Sequence, residues 1–259
     1  MTRQAAIACV IATLAAGAAA CSSASSSSSA GDSGTAPGGS PSASGGTSAG
    51  GDPLAALSAD AIGNKAVADT LAAASVHVTG SGSESGTPLK FSLAMTHSGN
   101  CDGSFSEGAK GGFQMILIGK TVWMKPNDTF WKANGGSDPA ALSILSGKWI
   151  KDSTSSDGLG SMSTLYSLNG LFGSLKSQTT GLVKGTTGIV DGQQTLQLKD
   201  GAGAGAGSLY VSDTATPLMV RISDPGSGGG TFDLTDYGAS AAITAPPASQ
   251  TLNGKQYGL

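Results

Sequence analysis

The chain has few charged side chains, few aromatic rings and very little glutamate. Of its 259 residues, 12% are charged and 5% are aromatic, and glutamate stands only at Glu84 and Glu107. The 14 Lys and Arg residues are scattered singly and are outnumbered by 17 Asp and Glu, which gives a net charge of −3. Proteins that bind nucleic acids concentrate basic residues in a patch. The sequence therefore predicts that nucleic acid is not a partner.

Catalytic and metal-binding patterns give no support to an enzyme or a metal site. The G-x-S-x-G match at 46–50 stands in a Ser/Gly-rich stretch that cannot provide the strand-to-helix turn this motif needs, and we treat it as chance. Only two histidines are present, His77 and His97, and both stand in strand-like segments. The sequence contains no S-x-x-K or H-E-x-x-H motif and no paired-carboxylate motif for acid–base catalysis. No C-x-x-C pair or His/Cys cluster has the spacing of a metal site. These absences predict a protein that is not an enzyme and needs no cofactor or metal.

Three cysteines occur, and their positions leave no pair for a disulfide in the mature domain. Cys9 lies in the apolar N-terminal segment, Cys21 directly follows that segment, and Cys101 is the single cysteine after it. An unpaired, exposed thiol outside the cytoplasm can oxidise or pair with another molecule. We expect Cys101 instead to be a small residue in a turn, because Asn100 precedes it and Asp102-Gly103 follows it.

Residues 1–20 have the three parts of an export signal. A positively charged start at Arg3 is followed by an apolar stretch at 5–16 and by small residues up to Ala20. The apolar stretch is too short to cross a bilayer comfortably, since a spanning helix takes roughly 20 residues. The segment is therefore predicted to be removed after export rather than to remain as a membrane helix.

The small residues before Cys21 resemble the lipobox of bacterial lipoproteins, although Ala18 stands where Leu is usual. The resemblance implies that the chain is cut before Cys21 and that this cysteine receives a diacylglyceryl thioether. Two acyl chains suffice for stable anchoring, since each buried CH₂ contributes about 0.8 kcal/mol. We therefore expect a protein anchored to the cell membrane by lipid and facing the extracytoplasmic side. An ordinary secretory signal cut near Ala20, with the cysteine incidental, is the alternative interpretation.

Residues 21–51 are predicted to form the lipidated cysteine and a disordered tether. Positions 22–51 hold 12 Ser, 8 Gly, 5 Ala, 2 Thr, 2 Pro and Asp32, and none of these could anchor a core. Such a composition cannot offset the loss of chain entropy by burial. A flexible Gly/Ser coil of this length spans on the order of 30 Å. The tether therefore holds the rest of the chain close to the membrane.

Residues 52–259 are predicted to form a single β-rich domain. A helix is expected over 59–75, with Ser58 as its N-cap. The clearest strand runs from Pro88 to Ser98, where apolar and polar residues alternate. Asp191-Gly192 is a hairpin turn signal. Further strands are predicted at 113–118, 120–125, 129–132, 183–190, 193–198, 208–212, 217–223 and 230–237, with Pro126-Asn127-Asp128 as the turn of a second hairpin.

A second helical stretch, 159–175, is apolar around well over half of its circumference. A helix of this kind is buried on most sides, and it suits the concavity of a curved sheet. The predicted fold class is therefore α+β and mainly antiparallel. We expect a curved, half-open β-barrel with helices on its concave face.

The order of these elements resembles the LppX/LprG-type lipoproteins of actinobacteria, which are similar in turn to the LolA and LolB lipoprotein carriers. The segments most like that family are 71–78, 191–198, 209–212 with Pro217-Leu218, and 231–238. The resemblance covers roughly 54–247, and it implies the LolA-like half-open barrel. Members of the family hold the acyl chains of lipids or lipoproteins between sheet and helices, and the family carries no catalytic residue.

The first functional hypothesis is a monomeric carrier of a lipid, a glycolipid or another apolar ligand. In this hypothesis the cavity is lined by Phe91, Leu93, Met95, Met162, Leu165, Leu168 and Phe172. Apolar stripes more often form a packed core. The alternative is therefore a cell-surface interaction module with a solid core, which acts through the loops predicted at 80–87, 201–207 and 226–230.

The anchor hypothesis predicts that Cys21→Ala moves the protein from the membrane fraction to the soluble exported fraction. The variant has no thiol at the lipidation position, and the acyl chains that hold the protein are therefore absent. Membrane fractionation followed by intact-mass measurement checks this expectation. Cys9→Ala is the matched control and should remain in the membrane fraction with the mass of the lipid. A parent protein that is already in the soluble exported fraction, without the mass of a lipid, would favour the ordinary secretory signal.

Overall fold

A computed structural model of the chain describes residues 53–84, 86–134, 138–155, 167–201, 207–226 and 229–257. The predicted export signal and tether lie outside these residues. The strands are β1 (Ser75–Glu84), β2 (Thr87–Thr96), β3 (Cys101–Glu107), β4 (Gly112–Ile118), β5 (Thr121–Pro126), β6 (Trp149–Ser153), β7 (Leu182–Val190), β8 (Gln193–Asp200), β9 (Ser208–Ser212), β10 (Met219–Ser223), β11 (Gly230–Thr235) and β12 (Thr251–Asn253). The α-helices are α1 (Ala59–Leu71), α2 (Asp128–Asn134), α3 (Pro139–Leu145) and α4 (Leu168–Phe172).

All twelve of these strands belong to one sheet, in the order β12-β6-β5-β4-β3-β2-β1-β11-β10-β9-β8-β7. Each neighbouring pair is antiparallel except β12 and β6, which run parallel. The sheet is curved, but β12 and β7 are its two edges and do not pair with each other. The predicted α+β, mainly antiparallel class is confirmed, and the sheet is open rather than a closed barrel.

Alternation along the strands gives the sheet an apolar inner face and a more polar outer face. On β2, Leu93 and Met95 are fully buried in the main core, whereas Lys90 on the opposite face is exposed. Strands β1 and β4 continue the same pattern, with Val78 on β1 and Met115 on β4 also fully buried. One continuous apolar core therefore lies against the inner face.

Helix α1 packs on the inner face beside β7, β9 and β10. Ser58 caps it as predicted, because its Oγ accepts a hydrogen bond from the Ala61 amide at 3.2 Å. The Asp60 carboxylate accepts hydrogen bonds from the amides of Gly181 and Leu182 at the start of β7, at 3.2 and 2.8 Å. These contacts tie the helix to one half of the sheet. The helix ends at Leu71, earlier than the sequence predicted.

The helix predicted over 159–175 is described only from residue 167 onward. Ser167 caps α4 by accepting a hydrogen bond from the Gly170 amide at 3.0 Å, and a 3₁₀ turn at Gly173–Ser177 follows. Met162 and Leu165 lie outside the described residues. Of the helices in the described part of the chain, none is long and apolar enough to span a membrane.

The hairpin predicted around Pro126-Asn127-Asp128 is wrong in its second arm, which is helix α2 instead of a strand. Asn127 explains the difference, because its Oδ1 accepts a hydrogen bond from the Phe130 amide at 2.8 Å and so acts as a helix cap. The loop predicted at 80–87 is also wrong, since β1 extends through its first residues to Glu84. Residues 202–206 of the loop predicted at 201–207 and residues 227–228 of the loop predicted at 226–230 lie outside the described residues, and the second of these loops ends where β11 begins at Gly230.

A smaller apolar cluster lies on the outer face. Ile116, Trp123 and Trp149 are buried there, and Ile243 packs against them from the segment that joins β11 to β12. Trp131 is buried in a third cluster beside α3. All three tryptophans of the chain are therefore buried packing residues.

Cys101 is the first residue of β3 and is fully buried in the core, so its prediction as a turn residue is wrong. Burial, together with the charge of Asp102, raises the pKa of its thiol to about 12. The thiolate is the reactive form, and this thiol therefore stays protonated and inert in the folded protein at pH 8.

We predict that a thiol reagent at pH 8 leaves Cys101 unmodified in the native protein and modifies it fully after unfolding in guanidinium. The exported Cys21→Ala chain is the protein to use, and absorbance of the released chromophore measures the reaction. Ser98→Cys places a thiol at an exposed turn position and should react at once under native conditions. Rapid native modification of Cys101 would show that the core opens at β3.

Candidate functional site

Five phenylalanines form a row of touching rings across the inner face. In spatial order they are Phe232 on β11, Phe91 on β2, Phe105 on β3, Phe113 on β4 and Phe130 on α2. Successive ring centroids lie 5.5, 5.7, 5.1 and 5.4 Å apart. These separations are typical of favourable aromatic pairs. We call this set the phenylalanine row.

Strand register brings the rings together. Phe91 is directly opposite Phe105 in the β2–β3 pair, and Phe105 is directly opposite Phe113 in the β3–β4 pair. Side chains at opposite positions of an antiparallel pair have Cβ atoms about 5 Å apart, so aromatic rings there meet face to face or tilted. The row follows from placing phenylalanine at matching positions of three consecutive strands.

Gly80 lets the row cross β1. This strand lies between β11 and β2, and Gly80 is opposite both Phe232 and Phe91. A Cβ atom at Gly80 would overlap the ring of Phe91. The ring of Phe91 therefore lies over the bare backbone of β1 and reaches Phe232 on the far side.

The phenylalanine row is the wall of an apolar groove. Its volume is about 60 Å³, and Gly82, Leu89 and Gly112 also line it. This is room for about four water molecules and is less than a long acyl chain needs. Phe91, Phe105 and Phe130 are nevertheless half-exposed, so part of the apolar wall faces solvent.

Two further cavities continue the groove along the inner face. The next, of about 20 Å³, lies under α4 between Phe172, Leu175 and Ile222, and shares Phe232 with the first. The third, of about 60 Å³, shares Leu175 and Ile222 with the second and extends to Leu198 on β8. All six phenylalanines of the chain therefore line this connected apolar path.

One end of the groove has a polar rim. Glu107 at the end of β3 lines the groove, is half-buried and forms an ion pair with Lys110. Long side chains of this kind cover apolar surface with their stems and keep their charged ends in water. The groove is thus apolar along its length and charged at its edge.

In the structure, the predicted cavity residues lie in different environments. Phe91 is in the phenylalanine row, and Phe172 lines the second cavity. Leu93, Met95 and Leu168 are buried in the packed core. Met162 and Leu165 lie outside the described residues. Contact of any of these side chains with a ligand stays a prediction.

The sequence interpretation did not include Phe105, Phe113, Phe130 and Phe232 in the cavity wall. Phe105 was missed because β3 is short, rich in serine and glycine, and follows the turn that was expected to include Cys101. Phe130 was missed because α2 was interpreted as a strand. The signal that could have found them is that the chain has only six phenylalanines and that several stand at matching positions of neighbouring strands.

No family model and no curated protein matches the chain, whereas solved structures do match it. LprF from Mycobacterium bovis superposes with a TM-score of 0.50 at 15% identity, over 73% of this chain and 97% of LprF. An uncharacterised conserved protein from Thermus thermophilus gives 0.37 at 13% identity, over 74% and 96%. The MucA/MucB complex from Pseudomonas aeruginosa gives 0.35 at 12% identity, over 73% and 61%. LprF is an LppX/LprG-type lipoprotein, so the resemblance seen in the sequence is confirmed for the fold.

We predict that Gly80→Ala lowers the free energy of unfolding by roughly 1–3 kcal/mol, the usual cost of overpacking. The added methyl group overlaps the Phe91 ring and separates it from Phe232. Chemical denaturation followed by tryptophan fluorescence measures the change. Gly188→Ala on β7 is the control, because its Cβ meets open space, and should change stability by about 0.5 kcal/mol or less. Equal effects of the two substitutions would contradict the packing of Phe91 over β1.

Proposed function

We propose that the protein is a lipid-anchored, extracytoplasmic protein that binds an acyl chain of a lipid or glycolipid in the groove along the phenylalanine row. The observation that carries the proposal is an apolar wall of five rings that is partly open to solvent. Exposed apolar patches on soluble domains are often binding sites. A linear hydrocarbon matches a linear row of rings in both shape and polarity.

The energetics favour such a ligand. Each methylene group removed from water contributes about 0.8 kcal/mol, so six methylenes along the row give about 5 kcal/mol before the cost of association is subtracted. The groove volume of about 60 Å³ is too small for the whole chain. The half-exposed rings of Phe91 and Phe105 must therefore turn aside, or the chain must lie in the open part of the groove.

The predicted anchor places this groove where such ligands are found. A lipidated Cys21 followed by a flexible tether keeps the domain within on the order of 30 Å of the bilayer. The charged rim formed by Glu107 and Lys110 then faces the headgroup of the bound lipid, while the acyl chain lies along the rings. The same arrangement suits either transfer of the lipid or its retention at the membrane.

A second candidate function is an interaction module that binds a protein partner. The observation in its favour is the edge strand β7, where Ile189 and Val183 are 71% and 44% exposed. An unpaired edge can accept a strand from another chain. This candidate requires no ligand in the groove. A search for lipid bound to the purified protein therefore distinguishes the two functions.

We predict that the exported Cys21→Ala protein carries a lipid when purified without detergent from a bacterial host. Native mass spectrometry should show a stoichiometric mass excess that organic solvent extracts, because the apolar wall is unfavourable in water. The same spectrum reports whether the protein is a monomer. A clean apo mass, with no binding of cis-parinaric acid by fluorescence, would contradict the proposal and favour the interaction module.

Phe105→Asp tests the groove directly. A carboxylate at the centre of the row opposes an apolar ligand, and we expect the dissociation constant for cis-parinaric acid to rise at least about tenfold, equal to 1.4 kcal/mol. Ile189→Asp adds the same charge on exposed β7 and should leave the constant unchanged. Circular dichroism confirms that both variants are folded before the comparison is made.

A further inference from the structure

Three polar side chains on the outer face have the connectivity of a Ser-His-Asp triad. His77 Nε2 lies 2.8 Å from Ser92 Oγ, and the opposite ring nitrogen, Nδ1, lies 3.6 Å from Asp236 Oδ2. In hydrolases with this triad the serine contacts one ring nitrogen and the acid orients the other. The second distance is longer than a hydrogen bond, as catalytic contacts often are without substrate.

Strand pairing brings these three residues close together, with the side chain of Asp236 68% exposed. His77 on β1 is paired with Thr235 on β11, the residue before Asp236, and Ser92 stands on the adjacent strand β2. Asp236 has a left-handed backbone with φ of 52°, a conformation that is uncommon outside glycine. Tyr237 fixes this turn from the other face by donating a hydrogen bond from its hydroxyl to the Met219 carbonyl at 2.6 Å.

Ser92 and His77 border a groove of about 370 Å³ on the outer face. The far part of this groove is lined by Gln114, Ile116 and Trp149, which combine an amide with apolar surface. Its size is at the lower end for sites that take small organic molecules. The phenylalanine row lies on the inner face, so this groove is a separate site on the opposite side of the sheet.

We propose that Ser92 is the nucleophile of an esterase site for esters of short carboxylic acids, with His77 as its general base and Asp236 as the residue that positions His77. The inference is independent of lipid binding on the inner face. It also departs from the expectation of no catalysis. That expectation relied on local sequence motifs, whereas this triad joins residues 77, 92 and 236, which only the sheet brings together.

The reaction balances with water as the second substrate. Ser92 Oγ forms a bond to the ester carbonyl carbon while its proton passes to His77 Nε2. The bond to the alcohol oxygen then breaks, and His77 returns the proton to the leaving alcohol. Water attacks the acyl-serine, again with His77 taking the proton, which releases the carboxylic acid and restores Ser92.

The test uses the exported Cys21→Ala protein with two probes, a fluorophosphonate that labels activated serines and p-nitrophenyl butyrate as substrate. We expect a fluorophosphonate adduct on the peptide that contains Ser92, and catalytic release of p-nitrophenol. Ser92→Ala should remove both signals, and His77→Ala should lower kcat by about 100-fold, the usual contribution of a general base. Ser223→Ala, a serine on the same face without a histidine partner, should leave both signals unchanged.

Asp236→Asn separates positioning from folding. The variant keeps the size of the side chain and should lower kcat without changing KM, while thermal unfolding stays as in the parent protein. Absence of an adduct on Ser92 in the parent protein would overturn the proposal. An adduct or hydrolysis rate that is the same in the parent and in His77→Ala would overturn it as well, because the serine would then react without the histidine.

Discussion

A sheet of twelve strands that does not close on itself must have its apolar inner face covered by other parts of the chain. Helix α1 packs beside β7, β9 and β10, and Asp60 ties it there through the amides at the start of β7. Toward β2, β3 and β4 the inner face is lined instead by phenylalanine rings that pack on one another. Rings that cover a sheet in this way remain partly in contact with water. In the described part of the chain, the groove therefore lies where the helical cover ends.

Strand β1 serves both candidate sites because its side chains alternate between faces. Gly80 on the inner face leaves space for the ring of Phe91, and His77 on the outer face contacts Ser92. A shift of one residue in the pairing of β1 would exchange its two faces and destroy both arrangements. Correct register at the middle of the sheet is thus the shared requirement of the phenylalanine row and the outer-face triad.

The fold is shared with LprF at only 15% identity, which fits a structure specified by pattern more than by particular residues. Apolar and polar alternation along β2 and the Asp191-Gly192 turn between β7 and β8 are enough to define strands and a hairpin. Either site, in contrast, depends on single residues such as Gly80 or His77. A shared fold therefore does not identify the ligand or the chemistry of this chain.

The sequence by itself determined the α+β class, the capped start of α1 at Ser58 and most strands, because these features depend on local alternation and capping. It also indicated that Phe91 and Phe172 lie on apolar faces. The tertiary structure decided that Asn127 starts a helix, that Cys101 is in the core, and which phenylalanines meet. Contacts between residues far apart in the chain depend on strand order and register, and no local pattern encodes these. For the same reason the grouping of residues 77, 92 and 236 becomes visible only when β11, β1 and β2 lie side by side.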